Sequence, residues 1–276
     1  MSFGKRLREA MDTRGPLCAG IDPHPALLLE WGLTDTVAGL ERFALTATEA
    51  LAPVAAAVKP QSAFFERFGS RGIAVLERTI ATARAGGAQV VLDVKRGDIG
   101  STAQGYADAY LDPASPLAAD AITASPYLGF GSLQPMIDTA ATHDAGVFVL
   151  ALTSNREGPE VQAARSASGR TVGGDVLAQL RRLNADADGL GSFGAVVGAT
   201  VEDGLEDLAI NGPLLVPGLG AQGGTVADVR RVFSGVLDQV LASSSRGILR
   251  AGPEPAGLRD AARRELDALG AVVATG

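Results

Sequence analysis

Eight short apolar runs, separated by longer amphipathic stretches, set the strongest limit on how this chain folds. They are residues 17–21, 54–58, 88–94, 118–124, 146–152, 193–199, 213–217 and 238–243. Each is continuous more than alternating, as strands buried on both faces are. Helical periodicity fills the intervals, at 36–52, 71–86, 174–187 and 225–236. Strand–helix alternation of this kind implies βαβ crossovers and a parallel sheet. Eight units in 276 residues fit an α/β chain folded as a single (β/α)8 TIM barrel over residues 1–276. The competing architecture is an open doubly wound sheet, which needs only about six strands. One stretch, 154–174 (SNREGPEVQAARSASGRTVGG), breaks the pattern. It reads either as a lid over an active site or as a plain surface insertion.

Composition narrows the function. A formal net charge of -7 argues against nucleic acid as a partner. An anionic ligand would have to be held by a few local groups. One cysteine, Cys18, excludes a disulfide framework and any cysteine-built metal centre. Two histidines, His24 and His143, leave little for a histidine-built one. His24, in DPHP, reads as loop packing or a cap, and His143 as a residue near a helix end; Cys18 and Trp31 read as core. No apolar run reaches the ~18 residues a membrane helix needs. The first residues, MSFGKRLREAMDTRG, lack the apolar region of a signal peptide, so a cytosolic location is expected.

Barrel chemistry sits where the strands end. Polar residues fall there in order: Asp22 after the first run, Lys59 after the second, and Asp93, Lys95 and Asp98 in and after the third. Thr123 and Ser125 end the fourth, and Ser245–Arg246 follows the eighth. In VVLDVKRGD, Asp93 and Lys95 are two apart, hence on one face of a strand. A carboxylate and an ammonium inside a barrel are costly unless paired, and Lys59 on the neighbouring strand completes a Lys–Asp–Lys–Asp array with Asp98. Opposite charges side by side keep all four ionised. Such an array suits a reacting centre that gains or loses negative charge. Arg96 and Gly97 read as an exposed turn.

The run at 213–217 opens into GLGAQGG, residues 218–224. Gly218, Gly220 and Gly223 match the GxGxxG dinucleotide pattern, but late in the chain and with no acidic residue ending the next strand. A phosphate cup fits better: backbone N–H groups of a glycine-rich loop bind phosphate, and barrels place that cup after strands seven and eight. Arg246 would add a bidentate contact.

Taken together, D-x-K-x-x-D at Asp93–Lys95–Asp98, followed by Ile99 and Thr102, resembles the signature of the orotidine 5′-phosphate decarboxylase family. Asp22, Lys59, Ser125, GLGAQGG and Arg246 fall in the family's order, so the resemblance covers most of the chain. It implies a cofactor-free barrel, homodimeric, that converts orotidine 5′-phosphate to UMP and carbon dioxide in pyrimidine synthesis. It further implies that Lys59, Asp93, Lys95 and Asp98 form the catalytic array, with Lys95 protonating the carbanion and Asp98 serving the partner's site beside Thr102. Asp22 would hold ribose hydroxyls, and Ser125 the pyrimidine edge. Gln222, the Gly223 and Gly224 amides and Arg246 would hold the phosphate. This sequence has Gly100 after Asp–Ile where the best-known branch has proline, and Pro60–Gln61 after Lys59, features that look like the family's longer branch. Three other readings stand beside it: a Mg²⁺-dependent sugar-phosphate aldolase or β-keto acid decarboxylase sharing the strand-three motif, an NAD-dependent oxidoreductase using GLGAQG, and a non-catalytic phosphometabolite-binding barrel.

Overall fold

A computed structural model describes residues 1–202, 204–220 and 223–273. Eight parallel strands close into a barrel in chain order, β1-β2-β3-β4-β5-β6-β7-β8. They are β1 Leu17–Ile21, β2 Ala57–Pro60, β3 Gln89–Arg96, β4 Ala121–Ala124, β5 Gly146–Leu152, β6 Phe193–Val197, β7 Leu214–Val216 and β8 Val240–Ser244. The circle closes where β8 pairs with β1, Cys18 opposite Ser243, so an open doubly wound sheet is excluded. The run at 54–58 supplies β2 with only its last two residues, because Ala52 through Ala56 finish the preceding helix and turn.

The two faces of each strand bury against different things, which is why the runs are apolar throughout. Leu17, Ala19, Val58, Val90, Leu92, Val147 and Val149 point outward into the layer beneath the helices. Cys18, Ala57, Val91, Ala121, Phe148, Leu215 and Leu241 belong to a second cluster that fills the barrel. Helix Phe3–Arg14 seals the bottom of this inner cluster with Phe3, Leu7 and Met11. The Phe3 ring meets Phe148 edge-on, with centroids 6.0 Å apart. Gly146 is required there, since a Cβ would stand 2.3 Å from the Phe3 ring.

Side chains two residues further along each strand share its inward face. Above Ala57 comes Lys59, above Val91 Asp93, above Ala121 Thr123, and above Leu241 Ser243. The apolar layer thus becomes a polar one within a single step, at the C-terminal mouth. At β3 the pairing departs from a regular ladder. Leu92 lies opposite Ile122 and Arg96 opposite Ala124, so four steps on β3 match two on β4. Within that bulge Lys95 has φ 45, a left-handed conformation rarely adopted by residues other than glycine.

The segment 154–174 is more ordered than its composition suggests. It contains a short helix, Gly158–Gln162, and an antiparallel bridge between Arg165 and Thr171. Among the described residues no helix is long and apolar enough to cross a membrane.

Candidate active site

At the C-terminal mouth the strand ends enclose a cavity of about 440 Å³. Asp22, Lys59, Asp93, Lys95, Thr123 and Arg246 all line it. Asp93 is the hub. Its Oδ2 accepts from Lys59 Nζ at 3.0 Å, and its Oδ1 from Lys95 Nζ at 2.5 Å and Thr123 Oγ1 at 2.8 Å. Thr123 also accepts the Lys95 backbone N–H at 2.9 Å, fixing the bulge from the β4 side. Lys59 is 6% exposed and Asp93 8%, whereas the Lys95 side chain is 45% exposed and faces the opening. The paired charges are therefore buried and the outer ammonium is accessible.

Burial opposes charge on Asp93, but Lys59 and Lys95 beside it prevail and hold its carboxyl far below the usual carboxylate range. Burial likewise opposes the Lys59 ammonium, yet Asp93 and Asp22 raise it well above the usual range. Cys18, directly below, is pushed up to about 12 by burial and behaves as core. A group whose folded pKa is depressed contributes stability that is present above its unfolded value and lost as pH falls through the folded one. Wild type should therefore lose stability on acidification below about pH 4, and Asp93→Asn should lack that component. Urea midpoints across this acid range check it; equal slopes would contradict it.

Among the described residues, three buried oxygens at the cavity have no hydrogen-bond partner: Asp22 Oδ1, Gln61 Oε1 and Ser245 Oγ. Two of these can only accept, so they call for a ligand bearing hydroxyl donors. Arg246 opens the short helix after β8, and no carboxylate among the described residues pairs with it. Leu150, Val196 and Leu215 give the cavity an apolar floor, and His24, its ring 4.8 Å from Phe64, walls one side.

Other residues expected from the sequence lie elsewhere. Asp98 is half-buried outside the cavity, its Oδ1 accepting from the Ile99 N–H at 2.8 Å, and Thr102 is exposed. Ser125 is half-buried, its N–H donating to Arg96 O at 2.8 Å, and does not line the cavity. In the glycine-rich loop Gly218 and Leu219 reach the cavity, but the Gly223 N–H donates to Gly220 O at 2.9 Å and the Gly224 N–H to Gly218 O at 3.0 Å. These two amides are engaged within the loop and are not presented to a phosphate in this conformation. Gln222 lies outside the described residues. Sequence reasoning passed over Gln61, His24 and Phe64. Gln61 was detectable as the residue two beyond Lys59, but His24 stands just before the short helix Pro25–Glu30 and Phe64 on the four-residue helix Ala63–Glu66, elements too short for periodicity to mark them. Among the described residues no group of three or more His, Cys, Asp or Glu is placed to hold a metal ion.

A closed (β/α)8 barrel with a Lys–Asp–Lys cluster, buried at Lys59 and Asp93 and open at Lys95, and an arginine around one mouth defines a class: barrel proteins whose charged strand ends form a single small-molecule site. Residues 15–261 match the family described as "Orotidine 5'-phosphate decarboxylase / HUMPS family". The chain is 67% identical over 270 residues to the orotidine 5'-phosphate decarboxylase of a Nocardioides species, covering 97% of this chain and 98% of that one. It is 62% identical over 263 residues to the protein of the same name from Streptomyces coelicolor, covering 95% of each. The fold matches a crystal structure from Streptomyces avermitilis with a TM-score of 0.97 at 59% identity, over 99% of this chain and 96% of that one. It matches the OMP decarboxylase of Leishmania donovani with a TM-score of 0.77 at 34% identity, over 99% of each. The chain belongs to the orotidine 5′-phosphate decarboxylase / HUMPS family.

Proposed function

We propose that this chain decarboxylates orotidine 5′-phosphate to UMP and carbon dioxide without a cofactor. The observation that carries this reading is the Lys59–Asp93–Lys95 cluster facing Arg246 across one cavity, in a chain so similar to proteins of that name. The phosphate rests on Arg246, remote from the chemistry. Ribose hydroxyls donate to the unpartnered Asp22 Oδ1 and Gln61 Oε1. The substrate carboxylate lies against Asp93 and Lys95. The bond from the ring carbon to the carboxylate breaks, carbon dioxide leaves, and the electron pair stays on the ring carbon. The Lys95 ammonium, already aimed and charged, stabilises that pair and then gives it a proton, leaving a neutral amine that solvent reprotonates. Asp93 stands beside the departing carboxylate, and the repulsion between the two anions is relieved as neutral carbon dioxide leaves. Segment 154–174 closes over the mouth from its first residues, Ser154 and Asn155, which with the preceding Thr153 already line it.

A cytosolic homodimer with a shared active site completes the reading. Ile99, Tyr127 and Leu128 are 62%, 77% and 54% exposed, large apolar groups on the loops that follow β3 and β4. A second copy covering them would draw Asp98 and Thr102, which flank Ile99, toward the partner's cavity.

The test is loss of orotidine 5′-phosphate absorbance with purified protein in excess EDTA. Turnover to UMP is expected. No turnover until Mg²⁺ is restored would overturn the cofactor-free reading in favour of the Mg²⁺-dependent branch.

A further inference from the structure

The bulge in β3 takes the backbone between Asp93 and Arg96 out of the regular ladder, so other groups must hold it. Arg96 does much of this. Its Nη1 donates to Val94 O at 2.9 Å, and its Nη2 to Glu66 Oε1 at 2.5 Å. The guanidinium also lies 5.7 Å and 5.9 Å from the ring centroids of Tyr106 and Tyr110. Glu66 in turn accepts from Ser62 Oγ, and the Ser62 N–H donates to Asp93 O at 3.2 Å. The contacts form a closed circuit from the Asp93 carbonyl through Ser62, Glu66 and Arg96 back to the Val94 carbonyl. Lys95, with φ 45, follows directly on the short arc of that circuit. A left-handed non-glycine residue persists only where its surroundings over-determine it. Here the Thr123 hydroxyl holds its N–H from one side, and Arg96 holds the preceding carbonyl from the other.

We propose that Arg96 is a positioning residue: its forked guanidinium, braced by Glu66, locks the β3 bulge so that the Lys95 ammonium stays on Asp93 and faces the cavity. This rests on the reading of Lys95 as proton donor. Arg96 does not line the cavity, so it acts only through Lys95. Lysine cannot replace it, because one ammonium does not reproduce two divergent N–H donors in a plane.

The test compares wild type, Arg96→Lys, Arg96→Met and Glu66→Ala in kcat for orotidine 5′-phosphate and in affinity for UMP, with a crystal structure of Arg96→Lys. A displaced catalytic group costs roughly 100-fold, so kcat is expected to fall by about that factor in Arg96→Met and by at least about tenfold in Arg96→Lys. UMP affinity, set by phosphate and ribose contacts, should stay within about threefold. In the Arg96→Lys structure Lys95 should leave the left-handed region or its contact with Asp93. The Arg96→Met and Glu66→Ala effects should be non-additive when combined, since both open one circuit. Parallel losses of kcat and UMP affinity, kcat near wild type, or an unmoved Lys95 would each overturn the proposal. Wild type failing to turn over orotidine 5′-phosphate would sink the functional reading instead, and the Lys95 backbone in the variant would still decide the role of Arg96.

Discussion

Replacing Lys95 by alanine is expected to abolish turnover and leave the barrel folded. Asp93 keeps two of its three partners in that variant, Lys59 at 3.0 Å and Thr123 at 2.8 Å, so no uncompensated charge is buried. The Lys95 side chain is also the exposed member of the cluster and contributes little to packing. What is lost is the proton donor together with the cation that faces the developing carbanion. General acid catalysis and preorganised electrostatic stabilisation are each worth at least about 10²-fold, so kcat should fall by roughly 10⁴-fold or more. Circular dichroism and the thermal midpoint should stay close to wild type. Activity within tenfold of wild type would show that the proton comes from elsewhere.

Arg246→Ala should have the second largest effect, on kcat/KM. Among the described residues, the guanidinium is the one cavity-lining Lys or Arg cation not already paired in the Asp93 cluster, in a chain that carries net charge -7. The Gly223 and Gly224 amides are turned to their own loop, which places more of the phosphate contact on Arg246. Removing one partner of a charged hydrogen-bonded pair costs about 4 kcal/mol, close to 10³-fold in kcat/KM. Binding energy from a remote phosphate is realised at the reacting carbon only if it organises the site, so part of the loss should appear in kcat. Orotidine, which has no phosphate, should be turned over equally by wild type and variant. An unchanged kcat/KM for orotidine 5′-phosphate would remove Arg246 from phosphate binding.

The barrel was legible because burial on both faces writes itself into the chain as continuous apolar runs. Residues 17–21 and 146–152 are strands to the residue, and only the ends of the others shifted by a few positions. The inner polar layer was legible for the same reason: a residue two beyond an inward apolar one faces the same way, which places Lys59, Asp93 and Thr123 together. Lys95 shows where that rule stops. Its side chain joins Asp93 through a bulge and a left-handed backbone, not through regular pleating, and both depend on distant groups: Thr123 directly, and Glu66 through its hold on the adjacent Arg96. Arg96 read as turn chemistry because RGD has turn composition. Its partners Glu66, Tyr106 and Tyr110 are 30, 10 and 14 residues away, beyond any local signal. Asp98, Thr102 and Ser125 follow the family pattern in sequence, yet one chain alone does not bring them to its own cavity. The glycines at 218–224 announced a tight loop, but not which amides the loop would keep for itself.

The most direct measurement is a crystal structure of Lys95→Ala soaked with orotidine 5′-phosphate, which the variant should hold without consuming. The substrate phosphate should lie on Arg246, its ribose hydroxyls on Asp22 and Gln61, and its carboxylate beside Asp93 in the space the ammonium left. A phosphate seated away from Arg246, or a carboxylate pointing out of the mouth and away from Asp93, would contradict the account.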